Sequence, residues 1–302
     1  MKISLGSWAF SFGPYADDPI PFEKTVKRLS EVGYDGIEIS GFPPHVTLDS
    51  HPTSASRRDL AGFLAGHNLA VSGYAADFTS VNPVTEGNKR RYLDLFERNL
   101  RMCVDIGSPS IRVDTIGAPG SIDDRDYQAS FERLAAVWRE AAAIARQARV
   151  KMVWEFEPGF VFNKPSEIVN LHQLVNHVNF RVMFDTAHAY MCGVAGARQH
   201  GEPETLASVK KFLALLEGRV GAFHLMDSDG TLCGDETSTH CPFGEGLVDF
   251  NAIAPRLLAQ PDIEWWCIDM CFWPGSWELI ESSLQFVRNL AGNAENVGKA
   301  TG

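Results

Sequence analysis

Short apolar runs alternate with longer amphipathic stretches eight times along the 302 residues of this chain. The strand-like runs are 2–10, 35–40, 69–78, 110–115, 150–156, 180–186, 221–227 and 265–272. The helical candidates are 22–32, 55–67, 87–106, 126–148, 165–177, 204–217, 249–259 and 276–291. Strict alternation of this kind predicts a parallel sheet, since each strand must return to the same edge through a helix.

Eight such units are the number that closes a parallel sheet into a barrel. An open, doubly wound sheet is the competing arrangement, but no GxGxxG fingerprint follows the first strand. We therefore expect a single-domain (β/α)8 TIM barrel over residues 1–292, followed by a flexible C-terminal tail over 293–302. A barrel of this kind carries its active residues at the carboxyl ends of the strands.

Composition and charge disfavour several classes of partner. The formal net charge is −11, which disfavours nucleic acid, because binding to it depends on Lys and Arg neutralising phosphates. No apolar run approaches the roughly 20 residues of a membrane span, and "MKISLGSWAF" is too short an apolar stretch for a signal peptide. We expect a cytoplasmic enzyme with a small-molecule substrate and no membrane partner, and the sequence leaves a homo-oligomer open.

The stretch "VMFDTAHAY" (182–190) places Asp185 at the end of an apolar strand, where an unpaired charge is costly to bury. Asp is a good N-cap for a following helix, so capping is one explanation. A metal site is the other, with Asp185 as a ligand and His188 beside it. This stretch alone leaves both interpretations open.

Groups that can bind metal ions end four neighbouring strands, the fifth to the eighth. They are Glu155, Glu157, Asp185, His224 and Asp269. Because side chains alternate along a strand, both glutamates, the histidine and Asp269 can point into one cavity. Each has an ordinary explanation alone, such as a core histidine or an ion pair. Together these acids would repel one another unless a cation were present, so the set predicts a divalent metal site.

Four stretches of the chain resemble the xylose-isomerase-like TIM-barrel superfamily, of the sugar phosphate isomerase/epimerase type. They are WEFEPG (154–159), FDTAH (184–188), FHLMD (223–227) and HCPFGEGLVDF (240–250). The resemblance extends from the first strand to about residue 290. Its members include sugar isomerases and epimerases, inosose-processing enzymes, dehydratases and the endonuclease IV branch.

The resemblance implies that Glu155, Asp185 and His224 bind one divalent metal ion. The fourth ligand of the family is a Glu on the eighth strand, where this chain has Asp269. Because Asp is one methylene shorter, the backbone must lie closer, or Asp269 acts through water, or the ion has three protein ligands. Glu155 is preferred to Glu157 by similarity to the family, although the two share a strand face.

The resemblance also suggests residues that contact the substrate. His188 faces substrate oxygens in this family, and His240 resembles the polar residue that reaches the substrate from the loop after the seventh strand. Further candidates at the strand ends are Trp8, His45, Arg112 and Glu157. Aromatic residues there are also plausible core, and Arg112 could instead pair with Asp114 inside the barrel.

The ligand types suit Mn²⁺, Mg²⁺, Co²⁺ or Zn²⁺ and do not distinguish among them. Such an ion polarises a carbonyl, so the resemblance implies a keto-sugar or cyclitol isomerase or epimerase that works through an enediolate on a small-molecule sugar or cyclitol substrate. Glu155 and Asp269 would then be the catalytic proton carriers. A lyase or dehydratase is the alternative; a non-catalytic carbohydrate-binding barrel and an endonuclease IV-like enzyme are more distant. No Lys/Arg cluster follows the last strands, which favours an unphosphorylated substrate.

Overall fold

The computed structural model describes residues 1–260 and 262–300, with side chains described up to residue 294. Eight parallel strands form a closed barrel in the order β1-β10-β7-β6-β5-β4-β3-β2. Its strands are β1 (Lys2–Gly6), β2 (Gly36–Ser40), β3 (Ala70–Ala75), β4 (Ser110–Val113), β5 (Lys151–Glu155), β6 (Phe180–Asp185), β7 (Val220–Leu225) and β10 (Trp265–Ile268). A short antiparallel hairpin, β8 (Leu232–Cys233) and β9 (Thr237–Ser238), follows β7. The predicted (β/α)8 barrel is confirmed.

Helices surround the barrel. They are α1 (Phe22–Val32), α2 (Ser54–Gly66), α3 (Lys89–Ile106), α4 (Asp124–Gln147), α5 (Pro165–Val175), α6 (Thr186–Ala189), α7 (Val209–Leu215), α8 (Phe250–Leu258) and α9 (Ile280–Ala300). Helices α1 to α8 lie between successive barrel strands, and α9 follows the last one. None of the helices in the described part of the chain combines the length and apolar character needed to cross a membrane.

Two predicted segments differ from the observed ones. The predicted helix 204–217 shortens to α7, which begins after Ser208, whose side chain accepts from the Lys211 amide. Helix α9 runs to Ala300, so most of the stretch 293–302 has a helical backbone, while residues 301 and 302 lie outside the described part of the chain. Flexibility of that tail stays a prediction.

Several strands end earlier than their apolar runs predicted. The first run, 2–10, becomes β1 and a 3-10 turn over Ser7–Phe10, and the last run leaves the barrel after Ile268. The residues beyond each strand are still buried, because they fold over the mouth of the barrel rather than continue outward. An apolar run therefore predicts burial, but it does not by itself predict where a strand ends.

The alternation of side chains in β5 shows how the barrel separates its core from its interior. Trp154 points outward and packs against Trp138 of α4, with ring centroids 5.4 Å apart. Glu155 therefore points into the barrel. Strand register brings Asp185 of β6 directly opposite His224 of β7, so polar groups from neighbouring strands meet at the carboxyl end.

A bulge between β2 and β3 directs a further acid into the barrel. The register shifts between Ile37 and Glu38, so that Glu38 lies opposite Gly73. A Cβ at Gly73 would lie only 2.9 Å from Cδ of Glu38. Glycine at this position therefore makes room for a buried carboxylate in the barrel interior.

Candidate metal centre

Four ligand-capable side chains converge at the carboxyl end of the barrel. Glu155 and Asp185 end β5 and β6, His224 is the penultimate residue of β7, and Asp269 directly follows β10. One ligand atom of each lies within 4.8 Å of those of the other three, and all four residues are buried. This spacing fits a single cation bound between them.

Within this group, ligand atoms of different residues lie close to one another. Nδ1 of His224 lies 2.7 Å from Oε1 of Glu155 and 3.5 Å from Oδ2 of Asp269. Despite the short distance, Nδ1 and Oε1 form no hydrogen bond with one another or with any other group. A buried polar atom without a partner is costly, and a cation between the two would satisfy both.

Each carboxylate is held by one oxygen and leaves the other free. Oε2 of Glu155 accepts from Nη1 of Arg112 at 2.7 Å. Oδ1 of Asp269 accepts from Nε1 of Trp8 at 2.8 Å and from the Cys271 amide at 2.9 Å. These bonds fix the orientation of the acids and turn their second oxygens, Oε1 and Oδ2, towards His224.

Asp185 acts as a cap and as a candidate ligand at the same time. Its Oδ1 accepts from the His188 amide at 2.7 Å and so caps α6. Its Oδ2 is buried without a partner. The two explanations offered by the sequence are therefore compatible, because each uses a different oxygen.

The pKa values of the four candidate ligands are shifted in different directions. Burial raises the pKa of Asp185 to about 7, an effect that His240 partly opposes. Burial also acts to raise the pKa of Glu155, but Arg112 and His224 hold it down to about 2. For His224 burial acts to lower the pKa, and Glu155 and Glu38 nevertheless raise it well above its usual value. The metal-free site therefore holds a proton that a cation would displace.

Glu38 was missed by the sequence reading. Its Oε2 lies 3.1 Å from Nε2 of His224, the ring nitrogen opposite Nδ1. The signal available in the sequence was a charged residue inside an otherwise buried strand, "GIEIS". Glu38 lies in the middle of β2 rather than at its carboxyl end, whereas the active residues of a barrel of this kind are expected at the strand ends.

A cavity of about 260 Å³ opens beside the candidate centre, and two of the four candidate ligands, Glu155 and Asp269, line it. Five of the residues predicted to contact substrate line it: Trp8, Arg112, Glu157, His188 and His240. The side chain of Glu157 accepts a hydrogen bond of 2.5 Å from Oγ1 of Thr237 in the hairpin. Burial raises the pKa of Glu157 to about 8, and the charges of Asp114 and Glu155 add to this increase.

The two histidines of the cavity wall lie close together. The rings of His188 and His240 have centroids 4.9 Å apart. His188 Nδ1 lies 2.8 Å from Oγ of Ser238, and His240 Nδ1 lies 3.0 Å from the carbonyl oxygen of Asp269. Nε2 of His240 is buried without a hydrogen-bond partner, so it is available to a ligand in the cavity.

Arg112 connects the centre to the cavity wall. Besides Glu155, it approaches Asp114, with Nη2 3.5 Å from Oδ2. Its guanidinium also lies over the ring of Trp8, 5.4 Å from the centroid. The ion pair within the barrel that the sequence left open is therefore present.

His45 does not join the other predicted site residues. It is buried in a separate depression, which is lined by the segment that contains Ile20 and Phe22 at the start of α1. Its Nε2 lies 3.0 Å from the carbonyl oxygen of Ile20, and its ring packs edge-on against Phe22 at 5.6 Å. The loop after β2 folds back onto the start of α1, and this places the His45 ring against Phe22 rather than in the wall of the cavity.

A family profile and several solved structures match this chain. The profile described as xylose isomerase-like TIM barrel matches residues 26–290. A D-tagatose 3-epimerase-like protein is 13% identical, with a TM-score of 0.75 over 98% of this chain and 99% of that one. An L-ribulose 3-epimerase is 16% identical, with a TM-score of 0.73 over 100% and 98%.

A probable 3-DHS dehydratase from Bacillus anthracis, described as involved in petrobactin synthesis, is 14% identical, with a TM-score of 0.70 over 95% of this chain and 99% of that one. A comparison with curated protein sequences found no match. At these identities the structural matches establish a shared fold, while the profile covers most of the chain.

Proposed function

This chain belongs to the xylose isomerase-like TIM barrel family, and from that premise we propose that it is a divalent-metal-dependent enzyme acting on a keto-sugar or keto-cyclitol. The reaction is a proton transfer through an enediolate, giving isomerisation or epimerisation. The epimerase names of two structural neighbours support this class of chemistry.

The observation that carries the proposal is the set of converging, unsatisfied ligand atoms. Oε1 of Glu155, Oδ2 of Asp185 and Nδ1 of His224 are all buried without hydrogen-bond partners, and an oxygen of Asp269 lies within 4.8 Å of ligand atoms of the other three. Carboxylates and one imidazole suit Mn²⁺, Mg²⁺, Co²⁺ or Zn²⁺. Oδ2 of the shorter Asp269 lies 3.5 Å from Nδ1 of His224, and this close approach supports direct ligation and hence four protein ligands.

When bound, the cation would polarise the substrate carbonyl and acidify the neighbouring C–H. Glu155 and Asp269 would remove and return the proton. Arg112 keeps Glu155 ionised, since it holds the pKa of that carboxyl low, and Trp8 fixes Asp269 through its indole N–H. His188, His240 and Glu157 would orient the substrate hydroxyls from the cavity wall.

The charge of the cavity supports an unphosphorylated substrate. Among the described residues that line it, Arg112 is the one Lys or Arg side chain. Its guanidinium already contacts Glu155 and Asp114. A phosphate group would therefore meet acids rather than a free cation.

A lyase or dehydratase acting on the same substrates is the second candidate. Two observations favour it: Asp269 replaces the longer acid of the two-base arrangement, and one structural neighbour is a probable dehydratase. The same enediolate, with a leaving group one carbon away, would eliminate instead of being reprotonated.

Solvent exchange separates these possibilities. Metal-stripped and Mn²⁺-reconstituted protein would be incubated in D₂O with a panel of free ketoses and keto-cyclitols. Metal-dependent incorporation of deuterium beside the carbonyl supports the isomerase or epimerase, and an unsaturated product supports the lyase. Binding with neither outcome would contradict both and leave a carbohydrate-binding barrel.

A further inference from the structure

We propose that the mouth of the cavity is a subsite for a planar apolar substituent, so that the substrate is a keto-glycoside: its sugar ring carries the ketone that the proposed chemistry needs, and its aglycone is aromatic. The inference rests on the proposed function for the sugar end of the cavity. The residues that carry it form what we call the apolar rim: Phe12, Phe42, Ile116, Phe160 and Phe272.

The apolar rim is built from the loops after five different barrel strands, β1, β2, β4, β5 and β10. All five side chains are partly exposed. The ring of Phe12 packs edge-on against Phe42, with centroids 5.5 Å apart, and nearly parallel to Phe272 at 6.3 Å. The loops thus place aromatic surface beside the opening through which a ligand reaches the four candidate metal ligands.

Three members of the rim have no part in the hydrophobic core. Phe42, Ile116 and Phe160 belong to neither of the two clusters of packed apolar side chains found among the described residues. Apolar surface left in water is unfavourable, and partly exposed apolar groups gathered at a cavity mouth are typical of a ligand site. Core packing therefore does not account for these side chains.

Two members of the rim adopt a backbone conformation that their residue types disfavour. Ile116 has φ 45° and Phe272 has φ 62°. For β-branched and bulky residues such values are outliers, and strain of this kind concentrates at ligand sites. Gly13 makes room for the ring of Phe272, because a Cβ at position 13 would lie 2.8 Å from Cδ1 of that ring.

The charge and hydrogen-bonding capacity of the rim define its ligand. Phenyl and sec-butyl side chains offer no partner to the hydroxyls of a second sugar ring, and exposed Glu236 beside them disfavours an anion. A neutral aromatic ring matches this surface, because aromatic pairs gain from stacked or edge-on contacts beyond the area they bury.

Paired ligands that differ in one substituent test the subsite without requiring turnover. Phenyl and methyl glucopyranosides, each as α and β anomers, would be titrated calorimetrically into Mn²⁺-loaded protein. We expect the phenyl glycoside of at least one anomer to bind about tenfold tighter than the methyl glycoside. Phe12→Ala and Ile116→Gly should each remove most of this preference.

Ile116→Gly distinguishes a binding role from a structural one. Glycine adopts positive φ without strain, so this variant should keep or raise the melting temperature while it loses the phenyl preference. Val178→Ala is the matched control, since Val178 is 59% exposed in the loop before β6, away from the cavity. It should alter neither quantity.

Equal affinity for phenyl and methyl glycosides, or a preference that survives both rim substitutions, would overturn the inference. Tighter binding of cellobiose than of the phenyl glycoside would also overturn it. So would a change of oligomeric state in Phe12→Ala with no phenyl preference, because the rim would then contact a second copy. Deuterium exchange on free ketoses without a phenyl preference would refute only this inference; the reverse pattern would refute only the proposed chemistry.

Discussion

Oε2 of Glu38 lies 3.1 Å from Nε2 of His224, whose other ring nitrogen, Nδ1, faces Glu155 and Asp269. A carboxylate at Nε2 favours the tautomer that carries its proton there and leaves the Nδ1 lone pair free. Glu38 would therefore orient the imidazole towards the proposed cation without contacting that cation itself.

Glu38→Ala is expected to weaken Mn²⁺ binding by roughly 10- to 100-fold, the usual cost of losing a partner behind a ligating histidine. Glu38→Gln should retain part of the affinity, because its amide oxygen can still accept from Nε2–H. Calorimetric titration of metal-free protein measures both. Glu264→Gln, at an exposed carboxylate, is the control; equal affinities in all four proteins would remove Glu38 from the site.

Gly73→Ala, a substitution in β3 next to β2, should impair the contact between Glu38 and His224. Its Cβ would come within 2.9 Å of the Glu38 carboxyl carbon, so the carboxylate must move. We expect weaker Mn²⁺ binding and a loss of about 1–3 kcal/mol in the free energy of unfolding. Gly62→Ala in α2, where a Cβ meets nothing within 4 Å, should leave metal affinity unchanged. Wild-type affinity in Gly73→Ala would show that the close approach is unimportant.

Glu155 at the end of β5 and Glu157 two residues later should differ sharply in their effect on turnover. Glu155→Gln should stop turnover while the circular dichroism spectrum stays that of the wild type, because it removes a candidate ligand and proton carrier. Glu157→Gln should reduce turnover mildly, since its amide oxygen can still accept the bond from Thr237. The reverse order of effects would assign the role to Glu157.

Metal binding should release protons in a pH-dependent amount. In the metal-free protein the pKa of Asp185 is raised to about 7 and that of His224 is raised well above its usual value. Ligands must lose these protons to bind a cation, so affinity should fall as the pH is lowered from 8 to 6. The fall should be about tenfold per pH unit for each group whose pKa lies above that pH, so the proton of Asp185 contributes only below about pH 7. Titrations in buffers of different ionisation enthalpy count the protons; an affinity independent of pH would contradict this account of the site.

The sequence alone was sufficient to predict the barrel and to place three of the strands that carry the candidate ligands. Alternation of apolar and amphipathic stretches depends on local pattern, so β5, β6 and β7 were placed within one or two residues. Asp269 was assigned to the eighth strand but lies just beyond β10, because a buried loop and a buried strand have the same composition.

Residues that depend on long-range packing were harder to predict. Glu38 reaches His224 across 186 positions, through a bulge that no local pattern reveals. His45 was expected at the cavity, but the path of its loop is decided by contacts with Phe22. The apolar rim was missed for the same reason, since its members are scattered over loops that only the closed barrel brings together.

Metal content tests the central claim most directly. Metal-free wild-type protein, titrated with Mn²⁺ and followed by electron paramagnetic resonance, should bind one equivalent, and Asp185→Asn and His224→Ala should lose that binding while remaining folded. If the wild-type protein binds no divalent ion, or if both variants retain one equivalent at wild-type affinity, the proposed centre at Glu155, Asp185, His224 and Asp269 does not exist.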